Sequence, residues 1–337
     1  MFFLWWWRFL VKTLVLQWHL NETCNLKCLH CYQEKEKEGS LEFSKLKHIY
    51  EQYKELLKKL NYQGHINLTG GEPLCNPYFY QVLEMIQKDS DFISFSILSN
   101  GTLITEETAK KIGKYHPKYV QVSLEGGKKI NDFIRGKGTY KKIAEGIKNL
   151  KKEHIFVSLS FTATKVNYKE FPKVVKYAKK YHVDNVWSDR YIPLGDGEDK
   201  NLALNKNQTR EYFERMKKEQ EKLKKSDSTT ISMKRALQFQ MTNDFAYGCT
   251  AGDTLLTVMA NGDLVPCRRM PIVLGNLLND SMISLYEQNP ILKQLREKKI
   301  PDDCKHCEHS NTCRGGLKCL TYALYKNWNH KDIGCPL

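Results

Sequence analysis

The sequence predicts an α/β protein whose parallel β-sheet is covered by helices. From Thr13 to about Arg190, short runs rich in β-branched residues alternate with longer amphipathic runs. Such alternation favours parallel strands joined by crossover helices. Six strand and helix units are predicted, fewer than the eight that close a TIM barrel. Because ligands of such sheets bind at the carboxyl ends of the strands, residues directly after each strand are candidate site residues.

The elements are assigned in order from residue type and hydrophobic period. The predicted strands are Thr13–Leu20, His65–Thr69, Ile93–Leu98, Tyr119–Leu124, Ile155–Ala163 and Asn185–Tyr191. The predicted helices are Ser44–Leu60, Tyr78–Lys88, Glu106–Tyr115, Tyr140–Lys152 and Tyr168–Tyr181. A polar linker then leads to a charged bridging helix, Gln208–Lys225.

Beyond Ser226 the sequence changes to short strands, turns and seven cysteines. A loop-rich segment with so many thiols is expected to be held together by metal. We therefore expect two domains, a barrel with its bridging helix over 1–225 and a metal-containing domain over 226–337.

Composition and charge exclude several classes of protein. With 41% hydrophobic and 27% charged residues, the 337-residue chain resembles a soluble globular protein rather than a disordered or fibrous one. The net charge of +15 comes largely from lysines mixed with glutamates in helical stretches. Aromatic residues do not interleave with them as in surfaces that stack bases, so no nucleic-acid partner is expected.

The N-terminal apolar stretch does not have the pattern of a secretory signal peptide or of a membrane anchor. Residues Met1 to Leu20 are interrupted by Arg8 and Lys12 and lack a small-residue cleavage site. Eleven cysteines, ten of them in clusters, do not suggest a ladder of disulfides. We expect a chain in the reducing cytoplasm, outside the membrane, whose clustered thiols bind metal.

The first cluster of thiols is a C-x3-C-x2-C loop formed by Cys24, Cys28 and Cys31 after the first predicted strand. Three thiolates can hold three irons of a [4Fe–4S] cubane and leave the fourth iron open for another ligand. A zinc site completed by His30 is the alternative, although His30 reads better as a loop residue that points elsewhere.

The loop and the residues after the next three strands resemble the radical S-adenosylmethionine (AdoMet) superfamily. An aromatic residue, Tyr32, follows the third cysteine, as is usual in that family, and Thr69-Gly70-Gly71-Glu72-Pro73 resembles its GGEP segment. The remaining similarities are Ser99-Asn100-Gly101, Ser123-Leu124-Glu125-Gly126 and the turn Ile134-Arg135-Gly136-Lys137-Gly138.

This resemblance implies a partial (β/α)6 TIM-type barrel and a cluster-bound AdoMet. An electron donor such as flavodoxin or ferredoxin would supply the electron that cleaves AdoMet to a 5'-deoxyadenosyl radical. The segment Gly70, Gly71, Glu72 and Pro73 would bind the amino group, and Glu72 is a suitable partner for an ammonium. Ribose and carboxylate contacts are implied for Ser99, Asn100, Ser123 and Glu125, and the resemblance makes Tyr32 and Arg135 further cofactor-binding residues. The family often has Asp where this chain has Glu125.

The C-terminal cysteines resemble the SPASM extension of radical enzymes that modify peptides and proteins. The resemblance implies one fully ligated cluster on Cys304, Cys307, Cys313 and Cys335. It implies a second cluster, with one iron not bound by cysteine, on Cys249, Cys267 and Cys319. Five residues separate Cys313 from Cys319, where three are usual. The alternative for the Cys304-x2-Cys307 pair is a zinc ribbon.

Cys75 belongs to neither pattern. A lone cysteine is usually a small packing residue, but near the radical site it could donate a hydrogen atom, as a thiol does in peptide epimerases of this superfamily. Sulfatase maturases have Asp directly after the second cysteine of the extension, whereas this chain has Arg268. Sulfatase maturation is therefore not expected.

The function expected is a radical AdoMet enzyme that cross-links, epimerises or oxidises a ribosomally made peptide or protein. Only 23 residues precede Cys24, too few for a leader-binding domain, so a separate leader-binding protein is a possible partner. The alternatives are a radical enzyme that acts on a small molecule in cofactor biosynthesis, and a zinc-binding basic adaptor without catalysis.

Overall fold

A computed structural model describes residues 11–33, 39–195, 198–242 and 247–337. Close contacts divide these residues into two compact units, each built from separate stretches of sequence. The first unit holds residues 11–24, 39–97 and 250–297, and the second holds the other described residues. The first ten residues of the N-terminal apolar stretch, including the run Phe2-Phe3-Leu4-Trp5-Trp6-Trp7, lie outside the described residues.

Ten strands are found in these ranges. They are β1 (Thr13–His19), β2 (Gln63–Thr69), β3 (Ile93–Ser99), β4 (Val120–Ser123), β5 (Val157–Ala163), β6 (Asn185–Arg190), β7 (Thr230–Ser232), β8 (Leu255–Val258), β9 (Asp263–Val265) and β10 (Gly275–Asn276).

Twelve α-helices accompany them in the same described ranges. They are α1 (Phe43–Leu60), α2 (Phe79–Gln87), α3 (Glu106–Gly113), α4 (Lys128–Arg135), α5 (Thr139–Lys152), α6 (Phe171–Lys180), α7 (Lys206–Glu221), α8 (Phe239–Thr242), α9 (Met282–Gln288), α10 (Pro290–Glu297), α11 (Ser310–Cys313) and α12 (Lys318–Tyr325).

In the first unit, β1 lies between β2 and β8 and is parallel to both. Strand β3 continues the parallel order beyond β2, and β9 and β10 add antiparallel strands beyond β8. Alternate residues of β1, Leu14, Leu16 and Trp18, are fully buried, as expected for a strand covered by other layers. The register pairs His19 with Thr69, so β1 and β2 end at the same level.

In the second unit, β4, β5, β6 and β7 are parallel neighbours. An aromatic cluster supports them, because the Phe161 ring lies 5.8 Å from that of Phe171 and both lie 6.1 Å from the ring of Tyr212. All three side chains are buried. The cluster therefore fixes β5 against α6 and α7.

The predicted α/β class with a parallel sheet is confirmed, and the predicted strands and helices lie close to the observed ones. Helix α4 is not among the predictions, since the face it buries carries Asn131 and Arg135 as well as Ile134. Helices α8 to α12 are also absent from the predictions, which expected short strands and turns beyond Ser226. Strands β7 and β8 lie beyond residue 226, yet they pair with β6 and β1. The domain boundary at 225/226 stays a prediction.

In the described part of the chain, every helix is too short or too polar to cross a bilayer.

His19, at the end of β1, gives a testable pH dependence. The side chain is fully buried, and burial, followed by the charge of Arg268, lowers its pKa from 6.5 to about 3. At a pH between these two pKa values, His19 binds a proton in the unfolded chain but not in the folded chain. His19 therefore contributes stability above pH 6.5 that is lost as the pH falls, by about 1.4 kcal/mol per pH unit.

Urea unfolding between pH 7.5 and 5 measures this effect in wild type and in His19→Asn. We expect the difference in unfolding free energy between the two proteins to shrink as the pH falls below the ordinary histidine pKa. Parallel curves for the two proteins would show that His19 is not the group responsible. His48→Asn, on the surface of α1, is the control and should keep the wild-type slope.

Candidate active site and metal centres

In the first unit, the chain leading to Cys24 and the segment after β2 continue side by side beyond their strands. The Leu20 N–H donates to the Thr69 carbonyl at 2.9 Å, the Gly71 N–H to that of Asn21 at 2.9 Å, and the Glu72 N–H to that of Thr23 at 2.9 Å. These backbone bonds hold the residue before the first cysteine against the predicted AdoMet segment.

The two glycines of this segment are required by its close approach to the cysteine-bearing chain. A Cβ on Gly70, whose φ is +150°, would lie 2.4 Å from Asn21 Oδ1. A Cβ on Gly71 would lie 2.2 Å from the Thr23 carbonyl oxygen. Such distances exclude a side chain at either position. The sequence predicts that these glycines allow a ligand to approach, and the structure adds the chain before Cys24 as a neighbour that demands them.

Glu72 is fully buried. Its carboxylate accepts a hydrogen bond from the Leu74 N–H at 3.5 Å and caps a short 3₁₀ helix, Pro73–Cys75. Cys75 is half-buried, and its N–H donates to the Glu72 carbonyl. The predicted roles of Glu72 and Cys75 toward AdoMet or substrate stay predictions.

In the second unit, a hydrogen-bonded ring joins the cysteine loop to the end of β3. The Asn100 amide donates to Asn25 Oδ1 at 2.9 Å, Asn25 donates to Thr102 Oγ1 at 2.9 Å, and Thr102 Oγ1 donates to Asn100 Oδ1 at 2.7 Å. Asn25 directly follows Cys24 in sequence. Asn100 is a predicted site residue, whereas Asn25 and Thr102 are not predicted from the sequence.

Glu125, at the end of β4, is the centre of a buried charged network. Its Oε1 accepts hydrogen bonds from Arg135 Nε at 3.1 Å and Nη2 at 2.5 Å, and lies 3.0 Å from His30 Nε2. Its Oε2 accepts from the Thr162 N–H at 3.0 Å. The other arm of Arg135 reaches Cys28 Sγ at 3.8 Å. The network therefore ties two residues of the cysteine loop to β4, α4 and β5.

The electrostatics of this network keep Glu125 charged. Burial disfavours the carboxylate, but Arg135 and His30 outweigh burial and lower the pKa of Glu125 to about 2. Glu125 is fully buried and Arg135 nearly so. The sequence-based prediction for both residues is an AdoMet contact. The structure gives them an additional role, because they position the cysteine loop.

Three other predicted site residues of the second unit have clear neighbours. Ser99 Oγ accepts from the Gly101 N–H at 2.9 Å, and Ser123 Oγ accepts from Ser160 Oγ at 3.2 Å. The Tyr32 carbonyl lies close to Gly195, and a Cβ on Gly195 would be 2.1 Å from the Tyr32 carbonyl oxygen. Gly195 has a φ of +61°, so glycine is demanded twice over at this turn after β6.

The predicted four-cysteine set lines a single recess. Cys304, Cys307, Cys313 and Cys335 surround a space of about 420 Å³, which includes a part open to solvent. Leu237, Phe239 and Leu337 also line it. Four thiols around an apolar-walled recess are the donor set that a [4Fe–4S] cluster requires. The residues present therefore fit the group that the SPASM resemblance implies.

A buried ion pair braces this recess from β6. Arg190 Nη1 donates to Asp332 Oδ1 at 2.6 Å and Nη2 donates to Oδ2 at 2.5 Å, and both side chains are buried. Asp332 also accepts from the N–H groups of Leu317 at 2.8 Å and Gly334 at 2.9 Å. Its carbonyl accepts from the Cys335 N–H at 2.9 Å. This pair is not predicted from the sequence, because its members are 142 residues apart.

The predicted three-cysteine auxiliary set is divided between the units. Cys267 belongs to the first unit, where the N–H of Arg269 approaches its sulfur at 3.5 Å. Cys249 and Cys319 belong to the second unit, where burial lowers the pKa of Lys318 and the charge of Cys249 opposes this lowering. All eleven cysteines lie in the described ranges. Among the described residues, no three His, Cys, Asp or Glu side chains are gathered as ligands of one metal ion.

A cysteine triplet after the first strand of a parallel α/β sheet, with a second thiol set in the C-terminal region, defines the class of radical AdoMet enzymes with auxiliary iron–sulfur clusters. The comparisons with known families agree. Residues 19–178 match the model of the Radical SAM superfamily, and residues 249–308 match SPASM, the iron-sulfur cluster-binding domain. The chain belongs to the Radical SAM superfamily and carries a SPASM domain. These domains imply [4Fe–4S] clusters and AdoMet as cofactors.

Several characterised proteins are similar to the chain over most of its length. An AdoMet-dependent heme synthase of Methanosarcina barkeri is 26% identical, over 95% of this chain and 95% of that protein. The mycofactocin maturase MftC of Mycolicibacterium smegmatis is 26% identical, over 92% of this chain and 79% of its own. The structure of anSMEcpe with bound AdoMet and Cp18Cys peptide superposes with a TM-score of 0.80 at 22% identity, over 96% and 94% of the two chains. The predicted partial TIM-type barrel with a SPASM domain is thereby confirmed as the fold.

Proposed function

We propose that this radical AdoMet enzyme modifies a peptide or protein made by the ribosome. The observation that carries the proposal is the pair of thiol sets, a triplet that follows strand β1 in sequence and a four-thiol recess in the SPASM region. Similarity to the maturase MftC over 92% of the chain supports a peptide substrate. The modification is a cross-link, an epimerisation or an oxidation.

The ligand assignments belong to this proposal. Cys24, Cys28 and Cys31 hold the cluster that binds AdoMet, and the bound group supplies one-electron cleavage of the sulfonium. The segment from Gly70 to Pro73 binds the amino group of AdoMet. The ribose and carboxylate contacts are Ser99, Asn100, Ser123 and Glu125, and Tyr32 and Arg135 are further cofactor-binding residues. The auxiliary ligands are Cys304, Cys307, Cys313 and Cys335 in one set and Cys249, Cys267 and Cys319 in the other.

Chemistry on a small molecule in cofactor biosynthesis is the second candidate. It is favoured by one observation, since the heme synthase aligns over 95% of both chains while MftC is the longer protein. A zinc-binding adaptor is the third candidate, and iron analysis separates it from the other two. The proposal also includes an electron donor of the flavodoxin or ferredoxin class, a separate leader-binding protein and a cytoplasmic location.

The experiment is anaerobic reconstitution followed by two assays. The purified chain should bind about 12 iron atoms if three cubanes assemble, and with dithionite it should convert AdoMet to 5'-deoxyadenosine. It is then incubated with short peptides encoded beside its gene and, separately, with an iron porphyrin. A mass change in a peptide supports the proposal, whereas a change only in the porphyrin supports the second candidate. A colourless protein that binds zinc would contradict both.

Arg135→Lys tests the contact between the charged network and the cysteine loop. Lysine keeps a positive charge beside Glu125 but lacks the second arm that reaches Cys28 Sγ. Hydrogen bonds to cluster sulfurs raise the reduction potential. We therefore expect the midpoint potential of the AdoMet cluster to fall by on the order of 50 mV, roughly the scale of a tenfold change in a one-electron equilibrium.

Potentiometric titration followed by electron paramagnetic resonance measures this potential. Arg215→Gln, on the surface of α7, is the control and should leave the potential unchanged. If Arg135→Lys also leaves it unchanged, the contact with Cys28 has no electronic consequence.

A further inference from the structure

Two large apolar side chains are exposed on the cysteine loop and on the neighbouring helix α4. The Leu29 side chain is 51% exposed and that of Phe133 is 61% exposed. The Leu29 N–H donates to the Ile134 carbonyl at 2.9 Å, so the loop and the C-terminal turn of α4 are in direct contact. We call Leu29, Phe133 and the exposed lysines Lys27, Lys129 and Lys137 the loop–α4 surface.

Helix α4 turns opposite faces to the protein and to solvent. Asn131, Ile134 and Arg135 are buried, and Arg135 belongs to the network around Glu125. Lys129 and Phe133 are four residues apart on the exposed side, a spacing that places them next to one another on a helix. An exposed phenylalanine beside a lysine offers both apolar area and charge to a partner.

The exposed charge of this surface is positive. Lysines 27, 128, 129 and 137 are exposed. The acidic residue of α4, Asp132, directs its carboxylate to the backbone, where it accepts from the N–H groups of Gly138 at 3.0 Å and Tyr140 at 2.8 Å. In residues 25–33 and 127–138, Asp132 is the only acidic side chain. A partner that covers Leu29 and Phe133 therefore meets basic side chains and is expected to be acidic.

The position of the surface indicates what kind of partner it receives. Leu29 lies between Cys28 and Cys31 in sequence. Arg135, on the same helix α4 as Phe133, reaches Cys28 Sγ at 3.8 Å. A protein seated here lies next to two of the three proposed ligands of the AdoMet cluster. An electron carrier gains most from that position, because its electron then has the shortest path through protein.

We propose that the loop–α4 surface is the docking site of an acidic one-electron carrier protein of the flavodoxin class. The inference rests on the proposed function. The carrier's flavin hydroquinone is oxidised to the semiquinone, and the cluster held by the loop is reduced by the one electron released. Apolar contact with Leu29 and Phe133 gives affinity, and the lysines orient the acidic face of the carrier.

The test compares two sources of electrons in the reconstituted full chain with AdoMet. Formation of 5'-deoxyadenosine is driven either by dithionite, which needs no docking site, or by a bacterial flavodoxin reduced to the hydroquinone. Phe133→Asp and Lys129→Glu are the test variants. The matched controls are Phe156→Asp, at an exposed phenylalanine before β5, and Lys176→Glu, at an exposed lysine of α6.

We expect both test variants to lower the flavodoxin-driven rate by about tenfold or more, which is the scale of a hot-spot contact. The dithionite-driven rate should stay within about twofold of wild type, and the controls should match wild type with either reductant. Added salt should slow the flavodoxin-driven reaction of wild type more than that of Lys129→Glu.

Three results would overturn the docking site. They are an unchanged flavodoxin-driven rate in Phe133→Asp, an equal loss with both reductants, and a wild type that works with dithionite but with no acidic carrier. The second of these would assign the surface to the substrate or to the fold. If wild type forms no 5'-deoxyadenosine with dithionite, the proposed function itself fails, and the docking site fails with it.

Discussion

Asp332→Asn is expected to lower the free energy of unfolding by about 3–5 kcal/mol, the usual cost of removing one partner from a buried ion pair. The variant leaves the Arg190 guanidinium buried without its counter-charge, although asparagine has nearly the same shape as aspartate. One carboxylate here holds Arg190, the Leu317 N–H and the Gly334 N–H together. Chemical denaturation of the metal-free protein measures the change.

The loss should also be visible locally. Cys335 donates its N–H to the Asp332 carbonyl, and Gly315, two residues after Cys313, accepts from the Asp332 N–H at 3.0 Å. We therefore expect Cys313 and Cys335 to react faster with a thiol reagent in the metal-free variant. Cys75, in the first unit, is the internal reference and should react at the wild-type rate.

Two further variants decide how such a result is interpreted. Asp302→Asn removes the partner of Lys305 in an exposed pair and should leave the unfolding free energy unchanged, as exposed pairs contribute little. Arg190→Met combined with Asp332→Leu removes both buried charges and should be less destabilising than Asp332→Asn alone. If Asp332→Asn is as stable as Asp302→Asn, the buried pair does not brace the recess.

The largest functional loss is expected when Cys24, Cys28 and Cys31 are all replaced by alanine. Without these thiolates the AdoMet cluster has no protein ligands, so the iron content should fall by about four atoms per chain. Formation of 5'-deoxyadenosine with dithionite should fall below detection. Iron analysis and product chromatography on the same sample measure both effects.

The remaining iron makes this experiment informative. The absorbance of the auxiliary clusters should persist in the triple variant, because their proposed ligands lie in the C-terminal region. Cys75→Ala is the matched control and should keep the full iron content. A triple variant that retains all of its iron would contradict the assignment of the N-terminal loop.

Local sequence signals predict much of this fold. Most strands and helices up to α6 follow a hydrophobic periodicity that can be recognised over a few residues. The cysteine motifs carry the resemblance to the radical AdoMet and SPASM families. Helix α4 is not predicted, because its buried face carries the polar residues Asn131 and Arg135 and so shows no apolar periodicity. Strands β7 and β8 are three and four residues long, too short for a periodic signal.

The contacts that organise the site are harder to predict, since they join residues far apart in the chain. Glu125 and Arg135 both lie in segments that resemble the family. Their contacts with each other and of Glu125 with His30 depend on how the cysteine loop packs against α4. Arg190 and Asp332 give no local signal at all. Their pairing is set by tertiary structure, where one buried charge demands another.

The pairing of β1 with β8 and of β6 with β7 has a consequence for how the chain can be cut. A fragment that stops at residue 225 would lack both β7 and β8, so the backbone amides and carbonyls of β1 and β6 would be left open to other molecules. Such edges favour aggregation. Residues 1–225 are therefore not expected to fold well as a separate fragment, because strands from the C-terminal sequence pair with β1 and β6.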